Sequence, residues 1–278
     1  MKKVLIAGSK DLGSACALRL YRSGMRVTIV AQDRPLDIHY LRTFSGAVYS
    51  GSKTIEGVQG LTISGAIDSG DVEPDILVKS FMEYQHADRK IPILTDSDLS
   101  SSKDAVDADY IIITDVNVFH NIRSVIPEDA KSIGFSDKAS EFTANYLIGE
   151  KSPDTGKVFY PFLDNIPTEE KKPVDIRLNK IQIRAPIEGI FTASKQCGDH
   201  VFEKDEVGRI GEIPILSPDA GHITGLLNSG LIVKAGVVFA EISHAVNKNA
   251  HMQIPDHNFS LAGGVLEAVM YDQTINRE

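Results

Sequence analysis

Ala185-Pro186-Ile187-Glu188-Gly189-Ile190-Phe191 reappears as Ser217-Pro218-Asp219-Ala220-Gly221-His222-Ile223, 32 residues further along the chain. The same offset joins Gly198 to Gly230, Val201 to Val233, Val207 to Phe239 and Ile210 to Ile242. Each copy holds several short apolar runs set off by Gly and Pro turns, and neither copy is large enough to bury its apolar face alone. The two copies are therefore expected to fold as halves of one β-rich unit, related by an approximate two-fold.

Two copies of (Ala/Ser)-Pro-x-x-Gly-apolar, then Gly-x-x-Val, then a short apolar strand, resemble the halves of a biotinyl/lipoyl-type barrel-sandwich domain. In carrier versions of that domain a lysine sits on the hairpin between the halves. Here the junction reads Gly211-Glu212-Ile213-Pro214-Ile215-Leu216, without a lysine, so a swinging-arm carrier of biotin or lipoate is not expected.

At 278 residues the chain is long enough for two domains, each with its own core. A net charge of −9 without Lys/Arg runs argues against sequence-independent nucleic-acid binding and against an anionic membrane surface. Met1-Lys2-Lys3 followed by Val4-Leu5-Ile6-Ala7-Gly8 starts like a signal peptide, but its apolar run stops too early. It reads as a first β-strand, and the chain as a cytoplasmic protein. Two cysteines, Cys16 and Cys197, make no disulfide framework, and the histidines show no pair or Cys/His cluster at zinc spacing, so no metal site is expected.

Residues 3 to about 145 alternate strand-like and helical segments. Val4-Leu5-Ile6-Ala7 ends in Gly8. Leu12, Ala15, Cys16 and Leu20 then follow helical spacing up to Gly24, and residues 26–30 give a second strand. Ile91-Pro92-Ile93-Leu94, Tyr110-Ile111-Ile112-Ile113 and Ser132-Ile133-Gly134-Phe135 read as further strands, with helical material near 75–88 and 117–126. This alternation predicts an α/β fold with a Rossmann-like, doubly wound parallel sheet. The sequence thus divides into a Rossmann-like domain over 1–150, a linker over 151–176, and a barrel-sandwich domain with a C-terminal tail over 177–278. The tail, Leu261-Ala262-Gly263-Gly264-Val265-Leu266-Glu267-Ala268-Val269, is expected to pack back on one of the domains.

Gly8-Ser9-Lys10-Asp11-Leu12-Gly13 follows the first strand and opens the first helix, where backbone amides attract a phosphate and glycines admit it closely. Lys10 stands where G-x-G-x-x-G has its second glycine. Its Cβ would crowd a pyrophosphate, while its ammonium could hold a phosphate instead. The carboxylate expected to close the second strand in a dinucleotide site is missing, since Val30 is followed by Ala31 and Gln32, with Asp33 late. The segment is either a phosphate or other anion site, formed by Gly8, Ser9, Lys10, Asp11 and Gly13, or a structural corner. Arg42 and Thr43 are either a clamp for a carboxylate or phosphate or part of a surface segment in which Phe44, Val48 and Tyr49 cover the sheet edge. Asp11, Asp33, Asp96 and Asp115 fall near strand C-termini, where α/β ligand sites form, but Asp is common there simply as a helix cap, and capping is the favoured reading. No catalytic constellation is visible, and no cofactor is named.

Gly8-x-x-Asp11-Leu12-Gly13-Ser14 with Leu18-Arg19-Leu20-Tyr21-Arg22-Ser23-Gly24 resembles the N-terminus of the selenium-dependent molybdenum hydroxylase system proteins. So do residues 42–51 with Thr54-Ile55-Glu56-Gly57-Val58, and so do Ile183-Arg184-Ala185-Pro186-x-x-Gly189-Ile190-Phe191 and Leu261 to Val269. The resemblance implies an accessory role in maturing a molybdenum hydroxylase, with that enzyme or other maturation proteins as partners and a nucleotide or pterin-type anion as ligand. The chain departs from the family at Lys10, at Ala31, and at Gly134-Phe135-Ser136-Asp137-Lys138-Ala139, which replaces a Gly-x-Gly-Pro-Gly-Phe loop. A following Arg-Gly-His segment is replaced near Lys151-Ser152-Pro153. These losses raise one alternative, a diverged copy without ligand binding; the rival from another class is an NAD(P)-dependent oxidoreductase, against which Lys10 and the missing carboxylate after Val30 count.

Overall fold

The computed structural model describes residues 1–66, 73–100, 102, 106–138, 143–160, 180–244 and 249–275. Two compact units emerge. Unit 1 draws on Met1–Asp33, Phe44–Pro173 and Ile254–Glu278, and unit 2 on Arg34–Thr43 and Val174–Gln253.

Unit 1 opens with β1 (Lys3–Ala7), α1 (Asp11–Arg22) and β2 (Arg26–Ala31), then α2 (Gly46–Ser50), β3 (Ser52–Ile55), β4 (Val58–Thr62) and α3 (Ile63–Ala66). It continues through α4 (Pro74–Ala87), β5 (Ile91–Thr95), α5 (Asp96–Ser100), β6 (Tyr110–Ile113), α6 (Val116–Ile122), β7 (Lys131–Phe135), β8 (Tyr146–Ile148) and β9 (Val158–Phe159), and closes with α7 (Asp256–Ile275). The strands form one sheet in the order β3-β4-β5-β2-β1-β6-β7-β8-β9. Pairing is parallel from β4 to β8, and only the edge strands β3 and β9 run antiparallel. Starting at β1 the chain winds outward to β2 and β5, then reverses to β6, β7 and β8. That is the doubly wound order, with its switch point between β1 and β6.

The strands are apolar on both sides, as a sheet covered on both faces requires. Val4, Ile6, Val27, Ile29 and Ile112 point to one face, where Ala15, Leu18 and Leu20 of α1 and Leu261, Val265 and Val269 of α7 cover them. Leu5, Ala7, Val30, Ile111 and Ile113 point to the other, under Val78 and Phe81 of α4, Leu99 of α5 and Phe119 and Ile122 of α6. The β3–β4 hairpin turns on Glu56 and Gly57, whose φ values of 46° and 80° match a two-residue type I′ turn.

In unit 2 the strands are β10 (Lys180–Arg184), β11 (Gly189–Ala193), β12 (His200–Val201), β13 (Glu206–Ile210), β14 (Ile213–Leu216), β15 (Gly221–Leu226), β16 (Ile232–Val233) and β17 (Val238–Ser243). They make two antiparallel sheets, β10-β17-β15-β12 and β14-β13-β11-β16. The 32-residue offset carries β11 onto β15, β12 onto β16 and β13 onto β17. Pairing follows the same exchange: His200 faces His222 and Val201 faces Gly221, while the mates of these pairs are Ile190 with Ile232 and Gly189 with Val233. Each half thus lends its short strand to the other half's first strand. Phe191, Val201, Val207 and Ile210 and their repeat mates Ile223, Val233, Phe239 and Ile242 are all fully buried. The rings of Phe191 and Phe239 lie 4.9 Å apart.

The units depart from the sequence division in three places. The tail is a helix of unit 1 rather than an appendage of the C-terminal domain. Asp272 on α7, 6% exposed, accepts the hydroxyls of Tyr110 (2.8 Å) and Tyr146 (2.7 Å), and a Cβ on Gly264 would strike the Gly156 carbonyl. Residues 34–43 leave unit 1 and join unit 2, where the Ile38 carbonyl accepts the Leu226 amide at 2.7 Å. The expected linker begins late: Ser152–Gly156 is a turn, but Val158–Phe159 is an edge strand paired to β8. The remainder of that expected linker, from residue 161, lies outside the described residues.

Candidate functional site

The β1–α1 corner is built on two glycines. Gly8 has φ +122° and donates its amide to the Val30 carbonyl at 2.9 Å. A Cβ there would meet the Thr114 hydroxyl and approach the Asp115 amide at 3.1 Å. Gly13 lies with its Cα against the Gly8 peptide, where a Cβ would strike the carbonyl oxygen. Ser9 is 3% exposed, and its carbonyl accepts the Ser14 hydroxyl (2.9 Å) and the Ser45 amide (3.1 Å); Ser14 Oγ in turn accepts the Phe44 amide (2.9 Å). The turn is wound tightly around its own backbone.

Lys10 occupies the helix N-cap with φ −76° and ψ −168°, an extended conformation that needs no glycine, and its side chain caps no amide. It is exposed. Asp11 is the first residue of α1 and the only acidic residue in that helix's first turn. The start of α1 thus carries no side-chain cap, and the positive end of its dipole lies beside an ammonium group.

Around the same strand ends stand Asp33, Asp96 and Asp115, which the sequence already places there, joined by Gln32, Ser97 and Asn121, which it does not single out. Asp115 caps α6, accepting the amides of Asn117 (3.0 Å) and Val118 (3.3 Å), and the side chain of Gln32 reaches its other oxygen at 3.4 Å. Asp96 accepts the Asp33 amide (3.2 Å) and the Asn121 side chain (2.7 Å). Asp33 stands two residues beyond β2 and accepts the Ser97 hydroxyl at 2.6 Å. Burial would push its carboxyl up, but the hydroxyls of Ser97 and Thr95 outweigh that and hold it below the usual range. Asp33, Thr95, Ser97 and Asp98 line a cleft of about 560 Å³ together with Leu77 and Val78. Asp115 thus does cap a helix, as expected, whereas the carboxylates of Asp33 and Asp96 work in a side-chain network. Their signal in the sequence was position alone: each follows a strand C-terminus.

Arg42 and Thr43 belong to unit 2, while Lys10 belongs to unit 1. Arg42 is 3% exposed rather than a surface residue, and donates to the Ala250 carbonyl at 2.9 Å. Thr43 Oγ1 donates to Asp37 at 2.6 Å, and the other Asp37 oxygen accepts the His39 amide at 2.8 Å. Both residues hold the 34–43 segment in shape. The glycine-poor stretch after β7 forms a short 3₁₀ turn at Ser136–Lys138, held by a 2.8 Å ion pair from Lys151 to Asp137 and by the Asp137 amide on Glu150 at 3.0 Å. Among the described residues no group of three or more His, Cys, Asp or Glu side chains is arranged to hold a metal. No helix among them is long and apolar enough to cross a membrane.

The molecule is thus a mixed α/β protein: one unit with a largely parallel, doubly wound sheet, the other with two antiparallel sheets grown from an internal repeat. No protein-family model matches it. Over 272 residues the chain is 27% identical to "Uncharacterized protein YqeB" of Escherichia coli strain K12, a match covering 96% of this chain and 47% of that protein. The chain therefore spans about half the length of the relative it matches. Among solved structures, two complexes of D-mandelate dehydrogenase align with about half of the chain. The complex with NADH gives a TM-score of 0.28 at 16% identity, covering 52% of this chain and 37% of that one. The ternary complex with NADH and anilino(oxo)acetate gives 0.29 at 18% identity, covering 53% and 40%. Likeness that weak says nothing about ligands.

Proposed function

We propose that this chain is a cytoplasmic accessory protein in the maturation of a molybdenum hydroxylase of the selenium-dependent kind, holding an anionic nucleotide or pterin-type molecule for that enzyme or a partner in its assembly. The observation that carries the ligand half of this reading is the β1–α1 corner. A tight two-glycine turn presents the uncapped start of a 12-residue helix beside the exposed Lys10, at the switch point of a doubly wound sheet. The maturation half rests on the motif resemblance, which runs from Gly8 to Val269. We read unit 2 as a barrel-sandwich hybrid without its carrier role. Its exchanged half-strands support that fold, and the β13–β14 turn at Gly211-Glu212 offers no lysine to biotin or lipoate.

Lys10 has a physical role in this reading. An L-residue Cβ occupies the space that the second glycine of a dinucleotide loop leaves open, and the ammonium replaces backbone contact by point charge. Ordinary dinucleotides are then poor ligands, with NAD(H) and NADP(H) binding no tighter than about 1 mM, or about −4 kcal/mol. The test is a thermal-shift and calorimetric screen of nucleotides, molybdopterin-like compounds and selenium donors on the full chain. A hit whose affinity falls by about 1–3 kcal/mol in Lys10→Ala supports the site. No saturable ligand in any of these classes, or a hit indifferent to Lys10, would sink it.

A further inference from the structure

The opposite edge of the unit 1 sheet, at the N-terminal ends of β1 and β2, carries a cluster of cations that the proposed function leaves unused. A cleft of about 530 Å³ there is lined by Arg22, Arg26, Arg89 and Lys90, with an apolar lining that includes Tyr21, Met25 and Ala87. A smaller cavity of about 80 Å³ shares Arg26 and His86 with it and adds Lys3 and Lys79. Six Lys and Arg residues thus line this edge, against Glu83 and Asp107, in a chain whose net charge is −9.

Part of the cluster has an ordinary explanation. Arg22 ends α1 and pairs with Glu56 at 2.9 Å, Lys90 pairs with Asp88 at 2.6 Å, and Lys3 pairs with Asp107. Cations near helix C-termini are also favoured by the dipole. Arg26 opens a strand and Lys79 lies mid-helix, so neither is explained in that way. Arg26, Lys79 and Arg89 make no ion pair among the described residues. Arg89 is held in place: its φ is +55°, a region uncommon for a residue with a side chain, and its carbonyl accepts the Tyr21 hydroxyl at 2.7 Å. His86 sits between them with Nε2 3.1 Å from the Val27 carbonyl. Burial and the nearby charges of Arg26 and Lys3 hold its imidazole below the usual range, despite that carbonyl.

We propose that this edge is a second ligand site, in which Arg26 and Arg89 take the phosphate of a small organic phosphate whose apolar part lies against Tyr21 and Met25. Guanidinium groups suit phosphate because their paired N–H donors match two of its oxygens. The cleft is recessed and of small-molecule size, whereas a DNA duplex or an acidic partner surface would call for a raised or flat cationic face.

Calorimetry at low salt with phenyl phosphate, inorganic phosphate and inorganic pyrophosphate on the full chain tests this. Phenyl phosphate should bind saturably and at least tenfold more tightly than inorganic phosphate. Arg26→Gln and Arg89→Gln should each weaken it at least tenfold, with unchanged thermal melting, while Lys10→Ala leaves it alone. This last comparison separates the site from the β1–α1 corner: affinity that depends on Lys10 and not on the two arginines assigns the phosphate to the corner and overturns the proposal. No saturable binding of phenyl phosphate overturns it as well. So does binding of a DNA duplex or a polyglutamate peptide through Arg26 and Arg89 when phenyl phosphate does not bind.

Discussion

Acid should loosen unit 2 through one carboxylate. Glu241 lies on β17 with a side chain 7% exposed; its Oε1 accepts Lys180 Nζ and Thr224 Oγ1, both at 2.8 Å, and faces His39 Nε2 at 3.5 Å. Burial alone would raise its pKa, but His39, Lys180 and Thr224 outweigh it and bring the group from 4.5 to about 2. The 3.5 Å separation from His39 is long for a hydrogen bond, so we assign most of the effect to Lys180 and Thr224. A depressed carboxyl contributes stability that is present above its unfolded pKa and lost as pH falls through the folded one. A shift of this size is worth on the order of 3 kcal/mol at about 1.4 kcal/mol per unit, and nearer 2 once solvent access to the half-exposed Lys180 is allowed for. The assay is urea unfolding of the protein and its Glu241→Gln variant at a series of pH values, with hydrogen exchange of the β15 and β17 amides reporting unit 2. The stability difference between them should be about 2–3 kcal/mol larger at pH 7 than at pH 2, with the change falling between pH 4.5 and 2. Titration of every other carboxylate cancels in that difference. A gap that stays constant from pH 7 to 2 would refute the reasoning.

Gly13→Ala should cost about 1–3 kcal/mol, because its methyl meets the Gly8 carbonyl backbone, which cannot swing aside; an unchanged denaturation midpoint would show that the corner is looser than it looks. Burial and then the hydrogen bonds to Asp272 push the phenols of Tyr110 and Tyr146 well up, so both stay protonated donors. Asp272→Asn should therefore destabilise unit 1 by about 1.5–3 kcal/mol by urea unfolding, and the idea fails if the variant melts like the parent. Both thiols should resist alkylation at pH 8 until the chain is unfolded: desolvation raises Cys16 strongly, and raises Cys197 to about 12 although Arg42 pulls it down. Mass spectrometry showing prompt iodoacetamide adducts on the native protein would contradict that.

The repeat was legible because a two-fold leaves its mark at every mated position: Phe191 with Ile223 and Val207 with Phe239 fill one core, and the spacing that aligns them in sequence aligns them in space. The strands of unit 1 were legible for a simpler reason. Both faces of a parallel sheet are dry, so runs such as Tyr110-Ile111-Ile112-Ile113 stand out. The 34–43 excursion left no comparable mark, because Asp37, His39, Arg42 and Thr43 look like a polar loop, and its anchors, the Ala250 carbonyl on Arg42 and the Leu226 amide on Ile38, lie far along the chain. The same limit applied to the corner. Gly8 and Gly13 were visible as glycines, but a chain shows neither that they touch nor that Ser9 spends its carbonyl on Ser14 and Ser45. The Asp33 and Asp96 network escaped because Ser97 and Asn121 gain meaning only when β5 and α6 end side by side.

The interleaving of the units reverses the usual order of assembly on the ribosome. Domains generally complete from the N-terminus as the chain emerges. Here the face of α1 waits for Leu261, Val265 and Val269, and the hydroxyls of Tyr110 and Tyr146 wait for Asp272, more than a hundred residues after Ile148. At roughly 5–20 residues per second that is a delay of about 6–25 s. Residues 34–43 wait in turn for β15 and β17. Unit 2, made almost entirely from one late stretch, is the part that closes first, and the sheet that starts the chain is the part that finishes last. Released chains ending at residue 253 should accordingly protect β11 to β17 from protease while α1 is still cut, and protection of α1 at that length would disprove this order.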